Sequence, residues 1–82
     1  MAEVTSDRTD EYGHPADDFA RLAKRFSITL GTEVDETTVV KLMIDLKLNR
    51  LDHNPTHEDS WRDIMGYVDC LDRINRRKAG IE

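Results

Sequence analysis

Four charged residues stand where amphipathic helices should be apolar, and their types suit phosphate chemistry. Lys47 and Arg50 share one stretch of the chain, Asp59 and Asp63 the next. Placing successive residues about 100° apart sets both bases among Val39, Val40, Met43, Ile44, Leu46 and Leu51, with Lys41, Asp45 and Asn49 on the wet side. On the next stretch Asp63 falls between Cys70 and Ile74, inside the edge of an apolar sector centred near Tyr67, Leu71 and Ile64, and Asp59 lies one turn earlier. An unpaired inward charge is too costly to stand alone. One reading is therefore an ion-pair network that locks two helices in register. The other is a polar pocket in which Lys47 and Arg50 receive a phosphate while the acids orient them or hold magnesium. The two are compatible.

A second candidate precedes the first helix. Asp10, Tyr12 and His14 lead into a helix N-terminus, a position suited to anions. Tyr12 would stack on a base and His14 touch a phosphate; alternatively Tyr12 packs over the bundle and His14-Pro15 starts the helix. His53 and His57 flank Asn54-Pro55, but a zinc site there lacks further Cys or His ligands at suitable spacing. Cys70, the one cysteine, lies on an apolar face and reads as a buried thiol. Trp61, at the edge of its stripe, is expected to pack, within the chain or across a dimer. Arg76-Arg77-Lys78 reads as a solvated helix end, with an acidic partner as the alternative.

The elements that must position these groups are all helices. Pro15 suits a first helical turn, Asp17 and Asp18 suit its positive pole, and Phe19, Leu22, Ala23, Phe26 and Leu30 form one stripe that Gly31 ends. Asp35 caps a second helix, stapled by Val34 and Val39, which Asn54-Pro55 closes. Thr56-His57-Glu58-Asp59 resembles a capping box for the third, which ends in Arg73, Arg76, Arg77 and Lys78. The expectation is one all-α domain over 1–82: a polar segment at 1–13 and helices at about 15–30, 35–52 and 56–78.

Composition bounds the function. The 82 residues hold 12 Lys plus Arg against 17 Asp plus Glu, a net charge of -5 that argues against coating DNA or RNA. The longest apolar run is Leu42-Met43-Ile44, so no membrane span is expected, and Met1-Ala2-Glu3-Val4 does not resemble a secretory start. A cytoplasmic protein is the expectation. Three short helices bury little surface, and the second and third are apolar over more than one face, so a homodimer or higher homo-oligomer is expected.

Three pieces in order carry a resemblance: Tyr12-Gly13-His14-Pro15 with Asp18-Phe19, then Lys47-x-x-Arg50, then Asp59-Ser60-Trp61-Arg62-Asp63-Ile64-Met65-Gly66-Tyr67. Over roughly residues 8 to 75 the chain resembles a family of small, functionally uncharacterised phage and prophage proteins. That family is more distantly similar to the all-α MazG-like nucleoside triphosphate pyrophosphohydrolases, which dimerise into helical bundles and hold magnesium with acids on two adjacent helices. The resemblance implies a three-helix unit, a MazG-like bundle completed by dimerisation. MazG-like enzymes carry Glu-Glu-x-x-Glu on the earlier helix and Glu-x-x-Asp on the later. Here the earlier helix offers Asp45, Lys47, Asn49 and Arg50, and the later keeps Asp63, with Ser60 in the Glu place and Asp59 one residue before.

Exchanging carboxylates for bases disfavours magnesium and favours direct phosphate contact. The reading is a phage-type protein that binds a nucleotide or other phosphorylated small molecule without hydrolysis, with no catalytic residue, metal or cofactor. In a phage-infected host cell its implied use is sequestering a nucleotide signal of host defence. The ligand-binding residues expected are Lys47, Arg50, Tyr12, His14, Asp59 and Asp63. One alternative is a magnesium-dependent MazG-like pyrophosphohydrolase using Asp59, Asp63 and Asp45. Another is a protein-interaction module acting on a host protein.

Overall fold

The computed structural model describes residues 11–82; the stretch 1–10, with Met1-Ala2-Glu3-Val4 and the candidate Asp10, lies outside the described residues. Three helices follow in order: α1 (Pro15–Leu30), α2 (Glu36–His53) and α3 (Glu58–Lys78). Each packs on the other two, and no strand occurs among the described residues, so these form an all-α three-helix unit.

Local chemistry sets the boundaries. The His14 ring, not a hydroxyl or carboxylate, caps α1: its Nδ1 accepts the Ala16 N–H at 3.0 Å, and Pro15 occupies the first turn without a donor to satisfy. Gly31, at φ 72°, ends α1 and donates its N–H to the Ser27 carbonyl at 3.0 Å. The Ser27 hydroxyl donates to the Ala23 carbonyl at 2.7 Å and accepts the Val34 N–H at 2.9 Å, which ties the connection back onto α1. Asp35 caps α2, its Oδ1 taking the Thr38 N–H at 2.8 Å.

At α3 the cap is His57 and not the expected Thr56. A turn closed by the His57 N–H on the Asn54 carbonyl, 3.1 Å away, encloses Thr56. His57 is thus the first residue free to face the helix, and its Nδ1 accepts the Ser60 N–H at 3.3 Å.

The core joins Phe19 and Ala23 of α1, Val39 and Val40 of α2, and Cys70 and Ile74 of α3. Phe19 meets the Tyr67 ring edge to face, centroids 6.3 Å apart. Cys70 is buried, as its place on the apolar face implies. Lys78 Nζ lies 2.9 Å from Glu36, so the end of α3 meets the start of α2. Arg77 binds Asp17 at 2.9 Å and brings the same end of α3 to the start of α1. Trp61 is not packed within the chain, the first of its two expected places. It stays about half exposed (51%), with its indole N–H donating to the Pro55 carbonyl at 2.8 Å.

Candidate functional site

Of the four inward charges, two meet. Lys47 is buried on α2, and its Nζ lies 3.0 Å from Asp63 Oδ2 on α3; the side chains are 11% and 44% exposed. The lysine thus threads its stem between helices and delivers its charge to an acid that water still reaches. The pair bridges α2 and α3, as the register-lock reading requires.

Arg50 and Asp59 do not join it. Arg50 is exposed, one turn beyond Lys47, and forms no ion pair with another described residue. Asp59 is exposed and bound to its neighbour Arg62 at 3.1 Å. The wheel angle sets Asp59 at the edge of its apolar sector, which remains in water, whereas it sets Arg50 among the apolar residues, and Arg50 is exposed near the end of α2. Leu46, at 42% exposure, was set on the inner side by the same argument and is likewise uncovered. Asp45 is exposed on α2. Among the described residues no three His, Cys, Asp or Glu side chains converge as a metal-ligand group.

Tyr12 and His14 lie elsewhere. They stand at the start of α1 against the end of α3, whereas Asp63 is in the first half of α3; Asp63 and Arg73 are about 15 Å apart along the helix axis. The six sequence-derived candidates therefore divide between two places. Tyr12 is half exposed, and its carbonyl accepts from Arg21 at 2.9 Å. With His14 Nδ1 committed to the helix cap, the ring proton sits on Nε2, which donates to Glu82 Oε1 at 2.7 Å.

That contact belongs to a cluster the sequence reading missed. Glu82 also receives Arg73, through Nε at 3.3 Å and a terminal nitrogen at 3.1 Å, and lies 3.7 Å from Arg76 Nε. The chain reaches back because Gly80, at φ 78°, closes α3 in a Schellman motif. Its N–H donates to the Arg77 carbonyl at 3.0 Å, and the Ile81 N–H to the Arg76 carbonyl at 2.9 Å. The sequence signal was Gly80 itself, two residues past a basic helix end and two before an acid.

Three carboxyls are held below their ordinary range. Glu82 is lowered first by the His14 hydrogen bond and then by Arg73. Lys78 does the same for Glu36, and the Thr38 backbone N–H for Asp35. His57 is occupied by its cap, with the buried Ser60 hydroxyl 2.8 Å from Nδ1.

Known proteins supply a relation without an activity. The chain is similar to the Gene 55 protein of Mycobacterium phage D29, 37% identical over 71 residues, which is 87% of this chain and 47% of that protein. It thus spans about half the length of that relative. No solved structure matches it significantly. No helix among the described residues is long and apolar enough to cross a membrane. The match to the family described as Domain of unknown function (DUF6378) runs over residues 2–75, and with nearly the whole chain so covered, the protein belongs to that family.

Proposed function

We propose that this protein binds a nucleotide or other phosphorylated small molecule on the α2 side of the α2–α3 contact, without hydrolysing it. The observation that carries the reading is Arg50. Its guanidinium is exposed, has no acidic partner among the described residues, and stands one turn from a lysine fixed by Asp63. A free guanidinium beside an anchored ammonium suits a phosphate, which takes a bidentate Arg contact and a point charge together. Asp63 acts as the orienting acid. Binding is favoured over turnover because the carboxylates are committed apart, Asp63 to Lys47 and Asp59 to Arg62. Tyr12 and His14 belong to the other end of the bundle and are left out of this site. The relative in a mycobacterial phage supports the phage setting, in which such a binder would withhold a nucleotide signal from its host.

The same reading includes a homodimer. Leu42, Leu46 and Leu48 on α2 and Trp61, Met65 and Val68 on α3 remain 39% to 54% exposed. The α3 residues follow one another at helical spacing, so they form a stripe and not scattered points. A second copy laid on α2 and α3 covers them. Sedimentation at micromolar concentration should give twice the 9.5 kDa chain mass; a clean monomer removes the dimer.

The binding test is a thermal-shift screen against nucleotides, with and without magnesium, followed by a phosphate-release assay on each hit. A metal-independent shift without turnover is expected. It should be absent in Arg50→Ala, whose melting temperature without ligand should match the parent. Magnesium-dependent release would establish the enzyme instead. No shift with any nucleotide would move the function to a protein partner.

A further inference from the structure

The corner where the start of α1 meets the end of α3 has the composition of a receptor already filled. One carboxylate, that of Glu82, is met from three sides: by His14 Nε2 at 2.7 Å, by Arg73 through two nitrogens at 3.3 and 3.1 Å, and by Arg76 at 3.7 Å. His14 and Arg73 are largely sheltered, at 14% and 26% side-chain exposure, and the positive pole of α1 faces the same space. The first amides of α1 are already taken: Ala16 donates to the His14 ring, and Asp17 and Asp18 donate to the His14 carbonyl. Recognition therefore rests on side chains, with Arg73 offering the two-nitrogen edge that fits a carboxylate or a phosphate alike.

The donors and the acceptor are held differently. His14 is fixed by its cap on α1, and Arg73 and Arg76 stand on α3. Glu82 reaches them from beyond the helix, on a segment whose backbone returns through Gly80 and whose Ile81 side chain is 63% exposed. When this segment lifts, His14 keeps its cap on α1 and the two arginines keep their places on α3.

We propose that His14, Arg73 and Arg76 form a binding site for the oxyanion of a small ligand, and that Glu82 occupies it as an internal stand-in. An incoming phosphate or carboxylate displaces Glu82 and takes over its hydrogen bonds, so the Glu82 segment acts as a competitor that sets the affinity. This site is independent of Lys47 and Arg50, which it does not share and from which it is separated along α3.

The test is a titration of isotope-labelled protein with inorganic phosphate, and separately with acetate, followed residue by residue in amide and arginine side-chain NMR spectra. A segment closed nine-tenths of the time lowers apparent affinity about tenfold, so Glu82→Ala should bind phosphate about tenfold more tightly than the parent. Shifts should centre on His14, Arg73 and Arg76, and Arg73→Ala in the Glu82→Ala background should abolish them. Glu82→Gln keeps the side chain's size while removing its charge; it should bind more tightly too, and it carries the test if the alanine variant loses its folded spectrum. Tighter binding of phosphate than of acetate identifies a phosphorylated ligand, and the reverse a carboxylate. The proposal is overturned if neither Glu82 variant binds either anion more tightly than the parent. It is equally overturned if loss of Arg73 changes nothing, or if the shifts fall on Lys47 and Arg50. In that last case the α2 site stands and this one fails.

Discussion

Two of the acid–base contacts in this bundle solve the problem of sheltered charge in opposite ways. At the α2–α3 contact a buried lysine depends on one described acid, Asp63. At the α1–α3 corner one carboxylate is shared among a histidine and two arginines. The first joins consecutive helices, so the chain is already turned back when the pair forms. The second joins residues 68 positions apart, and its closure depends on the whole bundle being formed. Removing a sole partner strands a charge, whereas removing one of several donors leaves the carboxylate still bonded. Dependence on single partners, more than number of ion pairs, decides where the fold is vulnerable.

The sharpest way to break that contrast is Asp63→Ala. Lys47 then keeps its buried stem and loses its acid, and chemical denaturation should show a loss of about 2 kcal/mol, below the full cost of a dry pair because Asp63 is partly wet. Lys47→Met should cost less than half of this, since it leaves behind only an acid that water already solvates. Equal losses would show that the contact is a simple surface pair. His14→Ala comes next. It removes the α1 cap, worth about 1 kcal/mol, along with one of the Glu82 donors, and its melting curve should fall between the parent and Asp63→Ala.

The smallest effect is acid sensitivity. Glu82 and Glu36 are lowered from an ordinary value of 4.5, so the folded state holds them ionised more readily than the unfolded chain does. Their contribution is fully present above about pH 4.5 and is lost as pH falls through the lowered values. Melting temperatures taken between pH 5 and 3 should decline, and less steeply in a Glu36→Gln, Glu82→Gln double variant. Identical slopes would mean that neither contact is coupled to folding.

Much of the fold was legible in local chemistry. Pro15, Gly31, Asp35 and Asn54-Pro55 punctuate the helices because each acts on its own backbone neighbours, and such effects need no tertiary context. Phe19, Val39, Val40, Cys70 and Ile74 fall on the faces that periodicity selects. The inward place of Lys47 was readable for the same reason, since it sits at the centre of the α2 sector. Leu46 was misjudged at its edge, where a wheel angle gives direction but says nothing of how wide a neighbour is, and Arg50 near the end of α2, where the angle says nothing of how far along the helix a neighbour reaches.

Thr56 lost the cap to His57 through a turn that the box pattern does not encode. The sequence by itself thus determined three helices, all of their ends but the cap of α3, and the centres of their buried faces, because hydrogen-bonding and helical periodicity act over a few residues. Only the tertiary structure decided that Lys47 answers to Asp63, that Arg50 stands free of the described acids, and that Glu82 closes on His14 and Arg73. Partner choice among charges depends on distances across helices, which the packing of the core sets and no local pattern records.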